Sequence, residues 1–233
     1  MNTRISVIIP VLDESARIRD CLRRVGRVAG LHEVIVVDGG STDGTPELAR
    51  RHPEVRVVEA PRGRARQMNA GAAVATGDVL LFLHADVALP TDAARCIEEC
   101  LDEHAVVAGA FRTWTIPDQG EAAPALLRLA LHAADLRSRF TRLPYGDQAM
   151  FVRRAVFRDV GGFPDLPLME DLALSERLRR RGRIRVVGAS VSVSGRRFLA
   201  GPVYYTAIVN VLPWLFRAGV PASLLARLYG DPR

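Results

Sequence analysis

Three observations predict an α/β fold with a mostly parallel central sheet flanked by helices. Largely apolar runs recur at Ile5–Ile9, which is rich in β-branched residues, at Val34–Val37 and at Val79–Leu83, each short and bounded by turn residues, as strands are. Each run gives way to a polar cluster: Asp13-Glu14-Ser15 beyond Pro10, Asp38 before Gly39-Gly40, and His84-Ala85-Asp86. Helical patterns separate the runs, and strands alternating with helices argue for parallel pairing. A run that is apolar at every position suits a strand buried on both faces. Open α/β sheets bind ligands outside the carboxyl ends of their strands, so the three clusters mark the expected site.

The chain has 233 residues, enough for one sizeable domain or one domain with a small extension. It carries 32 basic and 26 acidic residues, a formal net charge of +6. A basic balance suits phosphorylated substrates, acidic membrane surfaces or nucleic acid; an arginine-favouring genome explains it equally well. Nucleic acid is disfavoured as a partner, because the arginines are not interleaved with aromatics and no recognised module is present. Cys21, Cys96 and Cys100 have no zinc-site spacing and read as buried thiols in a reducing compartment. The N-terminus leads directly into the first strand without a signal-peptide pattern. The expected location is cytoplasmic, with the inner face of the cell membrane as a further site of association.

Pro10 ends the first strand, since proline cannot donate to a sheet ladder. A helix follows to about Val28, with Ile18, Leu22 and Val25 at helical spacing. No G-x-G-x-x-G stands at this first turn, which argues against dinucleotide binding. After Asp38, Gly39-Gly40 allow the backbone close to a ligand, and Thr42 or Asp43 can cap a helix over Thr45–Arg51. Val55–Val58 is a third, more exposed strand. Arg62-Gly63-Arg64-Ala65-Arg66 then enters a small-residue helix. Cations are disfavoured at a helix start; a bound anion would account for them, and so would simple surface solvation.

Asp86 reads in two ways. A carboxylate at the sheet's carboxyl edge suits a hard cation facing a diphosphate; it equally suits a cap for the helix near Thr91. Beyond that helix, Val106–Thr115 alternates as a strand, and Leu126–Phe140 has the pattern of an amphipathic helix with an arginine-rich face. Tyr145–Gln148 places polar residues before an apolar strand. Glu170 and Asp171 open a helix, where negative charge is favoured by the dipole alone. Ile184–Ser194 is the last strand. Phe198–Phe216 holds no charge but is interrupted by Gly201, Pro202, Asn210 and Pro213. Packing on the core or in a homodimer, an interfacial membrane helix and a membrane span are its three readings.

At this point the residues resemble a known family. Ile5–Glu14, Val36–Gly44 with its Asp-Gly-Gly-Ser-Thr-Asp-Gly, Gly77-Asp78, Leu83-His84-Ala85-Asp86 and Glu170-Asp171 are similar to the motifs of the family 2 glycosyltransferases, in that order. The His-Ala-Asp form and Gly146-Asp147-Gln148 resemble a small bacterial subgroup. The resemblance implies the GT-A fold, a Rossmann-like arrangement, and an inverting enzyme that uses a nucleotide-diphospho-sugar. It implies a glycosyltransferase domain over 1–198, with a nucleotide-sugar half at 1–115 and an acceptor half at 116–198, and a helical extension at 199–233. A UDP-sugar is the favoured donor, and an unspecified hydroxyl is the acceptor.

By position, Pro10, Glu14 and Asp38 resemble the nucleoside pocket, Asp38 accepting from the base, with Gly40 and Asp43 in the same loop. Arg62, Arg66 and Asn69 look like the base-and-phosphate loop. Asp86 resembles the last Asp of the metal-binding D-x-D, with His84 at its first position, which favours Mn²⁺ over Mg²⁺ because imidazole is a poor ligand for the harder ion. Asp171 resembles the catalytic base, Glu170 its partner, and Asp147 is a second candidate. Arg196-Arg197-Phe198 is similar to the (Q/R)-x-x-R-W motif, which would bring Arg197 to the donor. Two other functions are compatible with such a sheet: a sugar nucleotidyltransferase, which would release pyrophosphate, and a non-catalytic nucleotide-sugar-binding protein.

Overall fold

The structure is a computed structural model that describes residues 3–116, 143–195 and 202–230. The helix expected over Leu126–Phe140, Arg197 and the boundary drawn between 198 and 199 lie outside the described residues.

Among the described residues eight strands form one sheet: β1 (Ile5–Val11), β2 (Glu33–Asp38), β3 (Val55–Glu59), β4 (Val79–Phe82), β5 (Val87–Ala88), β6 (Val106–Ile116), β7 (Phe151–Arg153) and β8 (Arg183–Ser194). Their order is β3-β2-β1-β4-β7-β6-β8-β5. The first four strands in that order are parallel, as the apolar runs predict. The sheet then turns mixed: β7 is antiparallel to both β4 and β6, β6 and β8 are parallel, and β5 is antiparallel to β8. The division expected at 115 and 116 therefore falls at the end of β6, inside a sheet that both halves share. β4 sits in the interior with all four residues buried, which is why its sequence is apolar at every position.

Helices cover both faces. Alternate residues of β1 (Ile5, Val7, Ile9, Val11) meet α1 (Ser15–Val25), α2 (Thr45–Arg50) and α4 (Ala93–Asp102). Ile8, from the opposite set, packs on α3 (Arg64–Val74) and shares an apolar cluster with residues of α5 (Arg154–Asp159) and α6 (Glu170–Arg179). The period of two in the strands thus sorts the core into two layers. Cys21 and Cys100 are buried and free, Cys96 half-buried; burial pushes the Cys21 thiol up to about 12, so it is an inert core group.

The C-terminal helices α7 (Pro202–Arg217) and α8 (Ala222–Tyr229) pack on α6 and the turn before it. Leu212 and Leu225 join Leu143, Leu168, Met169 and Leu172 in a third apolar cluster, and Arg217 pairs with Glu176 at 3.1 Å. Of the readings for the apolar run, packing on the core is the one these contacts match. Among the described residues no helix is long and apolar enough to cross a membrane.

Candidate active site

A cavity of about 210 Å³ opens at the carboxyl ends of β1 and β4, the edge at which α/β sheets take ligands. From the first half of the chain come Pro10, Glu14, His84 and Asp86; from the second come Asp147 and Asp171. Six of the candidate residues thus meet in one wall. Val209, Leu212, Pro213 and Tyr229 close the cavity from α7 and α8. That contribution was not foreseen, because apolar residues and a single tyrosine carry no chemical signature in a sequence.

Among the described residues, three non-glycine positions have positive φ: Asp13 at 51°, Ala149 at 46° and Met169 at 66°. All stand beside the cavity. Asp13 lies between lining residues Leu12 and Glu14, Ala149 ends the turn that carries Asp147, and Met169 lines the cavity next to Glu170-Asp171. Such backbone costs about 1–3 kcal/mol per residue and persists only where surrounding contacts impose it.

Those contacts are on view. The loops after β1 and β2 are laced together: Ser41 Oγ accepts from the Asp13 amide (2.9 Å), Thr45 Oγ1 from the Glu14 amide (2.9 Å) and Asp43 from the Ser15 amide (2.9 Å), while Asp13 accepts from the Thr42 amide (2.9 Å). Partial burial would raise the Asp43 pKa, but the hydrogen bonds from Thr45 and Ser15 outweigh it and hold the carboxyl well below the usual range. Asp43 is therefore a loop clamp. Asp38 is buried, and its carboxylate accepts from the Gly40 amide (2.9 Å), the Ser41 amide (3.0 Å) and the Ser41 hydroxyl. Asp38, Gly40 and Asp43 shape the turn next to the cavity and are not part of its wall.

On the basic loop the structure selects a different arginine from those singled out. Arg66 is exposed and forms a bidentate pair with Asp165 at 2.7–3.0 Å, and Arg62 is exposed outside the wall. Arg64 lines the cavity instead, its Nε 2.8 Å from Glu170 Oε1. The helical phase explains this. Arg64, Gln67, Met68 and Gly71 fall on one face at spacings of three and four, and Gly71 packs on Ile8 and Val37 of the sheet. Arg66 falls off that face. The spacing from Gly71 was the signal available in the sequence. Gln67, buried on the same face, donates to the Val11 and Val37 carbonyls (2.8 and 2.9 Å), tying β1 to β2. Asn69 also serves the scaffold: its amide donates to the Phe163 carbonyl (2.8 Å) and its oxygen accepts from the Phe163 amide (3.0 Å).

Glu170 lies behind the wall, 1% exposed. Burial pushes its carboxyl above the ordinary value, Arg64 pulls it back, and Asp171 raises it again. Asp171 is held by two backbone amides, Gly146 on Oδ2 (2.6 Å) and Leu172 on Oδ1 (2.7 Å). Gly146 belongs to a single 3-10 turn over Gly146–Gln148. That turn is fixed by Gln148, which donates to the Phe111 carbonyl (3.0 Å) and accepts from the Tyr145 amide (2.9 Å). Ser175 of α6 donates to the Pro144 carbonyl (2.9 Å). The carboxylate is thereby aimed by main-chain donors on two rigid elements.

The glycosyl transferase family 2 model matches residues 6–161. The chain belongs to that family. The glycosyltransferase AglE of Haloferax volcanii is 28% identical over 181 residues, covering 69% of this chain and 56% of that protein. A PGL/p-HBAD biosynthesis glycosyltransferase of Mycobacterium tuberculosis is 40% identical over 91 residues, 36% of each protein. The chain thus spans about half or less of the length of these curated relatives. Among solved structures, the mannosyltransferase PcManGT of Pyrobaculum calidifontis, in complex with GDP-Man and Mn²⁺, superposes with a TM-score of 0.63 at 23% identity, covering 82% of this chain and 57% of that one. S. aureus TarS 1-349 in complex with UDP-GlcNAc superposes with a TM-score of 0.65 at 18% identity, covering 97% and 70%. At these identities the likeness carries the fold, that of the GT-A glycosyltransferases, with its curled mixed sheet between helices.

Proposed function

We propose that the chain is an inverting glycosyltransferase, moving a sugar from a nucleotide-diphosphate sugar to an acceptor hydroxyl, with Asp171 as the general base. One observation carries this reading: a single cavity collects Pro10, Glu14 and Asp86 from the strand ends and the amide-anchored carboxylate of Asp171. PcManGT and TarS, which share the fold, were solved with GDP-Man and UDP-GlcNAc. A UDP-sugar is the favoured donor for this chain. Asp38 and its turn border the nucleoside end, and Arg64 offers a half-buried guanidinium to the sugar or the diphosphate. Inversion by direct displacement needs one base on the face opposite the leaving group. The acceptor hydroxyl gives its proton to Asp171 as its oxygen attacks the anomeric carbon, and the bond to the diphosphate breaks with its electron pair leaving on phosphate oxygen.

Asp86 fits a hard divalent cation such as Mn²⁺ or Mg²⁺, which is commonly held by one or two carboxylates plus substrate phosphates. Among the described residues no three His, Cys, Asp or Glu side chains converge into a preformed cage; Asp86 would hold the ion together with the donor's phosphates. Such an ion, when bound, offsets the charge that develops on the departing diphosphate. The exposed Tyr204, Val211 and Trp214 of α7 support contact with a membrane surface, which flotation with anionic liposomes tests. For the donor, a thermal-shift screen of nucleotide sugars with and without Mn²⁺ is decisive: a donor at a hundred times its dissociation constant stabilises by about 2.7 kcal/mol. No shift with any nucleotide sugar refutes the reading.

A further inference from the structure

Arg64 is held in the cavity wall by one end of its guanidinium. Its Nε lies 2.8 Å from Glu170 Oε1, and among the described residues Nη1 and Nη2 have no hydrogen-bond partner. A guanidinium is a planar fork of N–H donors, and partly buried donors are costly unless a partner takes them. Three observations choose that partner. Glu170, 1% exposed, is already the anion for this cation, so Arg64 needs no phosphate to balance it. Arg64 and Asp171 also stand on one side of the sheet edge and Asp86 on the other. α3 and α6 cover the face of Ile8, whereas Ala85 and Val87, which flank Asp86, pack in the cluster with α1 and α4. A diphosphate at Asp86 thus leaves the sugar, which must present its anomeric carbon to Asp171, on the side of Arg64. Finally, Arg64 is the one lysine or arginine among the described residues of the wall, which also holds Glu14, Asp86, Asp147 and Asp171. A carboxylated sugar would bring a further negative charge to four carboxylates.

We propose that Arg64 binds the hydroxyl oxygens of the donor sugar through Nη1 and Nη2, that Glu170 fixes the plane of the fork, and that the sugar is a neutral one. This rests on the transferase reading and names the class of sugar it takes. The two amino groups at the end of the fork match neighbouring sugar oxygens in direction and spacing, which the point charge of a lysine does not. A site built to donate to hydroxyls also rejects analogues that lack them, because its own polar groups are then left unpaired. Arg64 is thereby the residue that makes the nucleotide sugar, and not the bare nucleotide, the ligand of the cavity.

Calorimetry in the presence of Mn²⁺ tests this with UDP, UDP-glucose and UDP-glucuronic acid, the last two a matched neutral and carboxylated sugar. GDP, GDP-mannose and GDP-mannuronic acid replace them if they bind the wild type more tightly. The wild type is expected to bind the neutral nucleotide sugar at least about tenfold more tightly than the carboxylated one. Arg64→Lys keeps a cation beside Glu170 and loses the fork. It is expected to bind the nucleoside diphosphate within about twofold of wild type and the neutral nucleotide sugar at least about fivefold more weakly, the scale of lost hydrogen bonds. Arg64→Met combined with Glu170→Gln removes cation and carboxylate together and should show the same split, whether or not Arg64→Lys folds. Nucleoside diphosphate and nucleotide sugar weakened alike would put Arg64 on the diphosphate. Neither weakened would take it off the donor altogether, and a carboxylated sugar bound as tightly as the neutral one would contradict the class named. Each of these results overturns the proposal alone. A wild type that binds no nucleoside diphosphate and no nucleotide sugar overturns the transferase reading itself.

Discussion

Replacing Arg64 by methionine removes the cation that balances a buried carboxylate. Glu170 is 1% exposed, and Arg64 is its ion-pair partner at 2.8 Å. Its second oxygen, Oε2, has no hydrogen-bond partner among the described residues. Breaking a buried pair by removing one member costs about 3–5 kcal/mol, because the other charge is left stranded. At about 2–4 °C per kcal/mol for a chain of this size, Arg64→Met should lower Tm by roughly 6–20 °C. The penalty has a pH signature. Burial holds Glu170 above its ordinary 4.5 in the folded protein. A carboxyl raised on folding favours the folded state when protonated, fully so below the ordinary value, and this contribution is lost as pH rises through the folded value. Removing Arg64 raises that folded value further. The Tm gap between Arg64→Met and wild type should therefore widen as pH rises through the wild type's folded value, which lies above 4.5, toward the variant's higher one. Glu170→Gln in the same background removes the stranded charge and should recover most of the loss near neutral pH. Scanning fluorimetry on wild type, both single variants and the double variant between pH 5 and 8 makes the measurement. An Arg64→Met gap independent of pH, or a double variant no more stable than Arg64→Met, would refute the reasoning.

Asp171→Asn should leave donor affinity within about twofold and cut turnover by a factor of about 10² or more, the scale of a positioned base; calorimetry and product release read the two separately. Gly162 has φ +68°, and a Cβ on it would meet Asn69 Oδ1 at 2.6 Å. Gly162→Ala and Asn69→Ala should each destabilise by about 1–3 kcal/mol through the loss of the Asn69–Phe163 clamp, measured by urea unfolding. Arg66→Ala removes an exposed pair with Asp165; such solvent-screened pairs contribute little, and the urea midpoint should not shift.

How far the sequence reached depended on what kind of physics each feature used. β4 was legible because a strand buried on both faces must be apolar throughout, and no helix of that length is set off in the same way. The parallel half followed from strand–helix alternation. The mixed half did not: β7 is three residues long and owes its place between β4 and β6 to tertiary packing. Asp86 and Asp171 could be read because a carboxylate at a strand or helix end is local information. Arg64 was hidden among three arginines at spacings of two. Its selection depends on the phase of α3 against the sheet and on Glu170, which is remote in sequence. Asp38 was legible as a strand-end carboxylate, and its Oδ2 accepts from the Gly40 and Ser41 amides, a local turn pattern that an Asp before two glycines allows.

The central claim is transfer from a nucleotide-diphosphate sugar at the cavity shared by Asp86 and Asp171. Phosphorus-31 NMR of the wild type, incubated with a panel including UDP-GlcNAc and GDP-Man in the presence of Mn²⁺, tests it most directly. The account predicts growth of nucleoside-diphosphate resonances with no pyrophosphate, abolished in Asp171→Asn. Pyrophosphate release, or an unchanged spectrum with every donor, would contradict it.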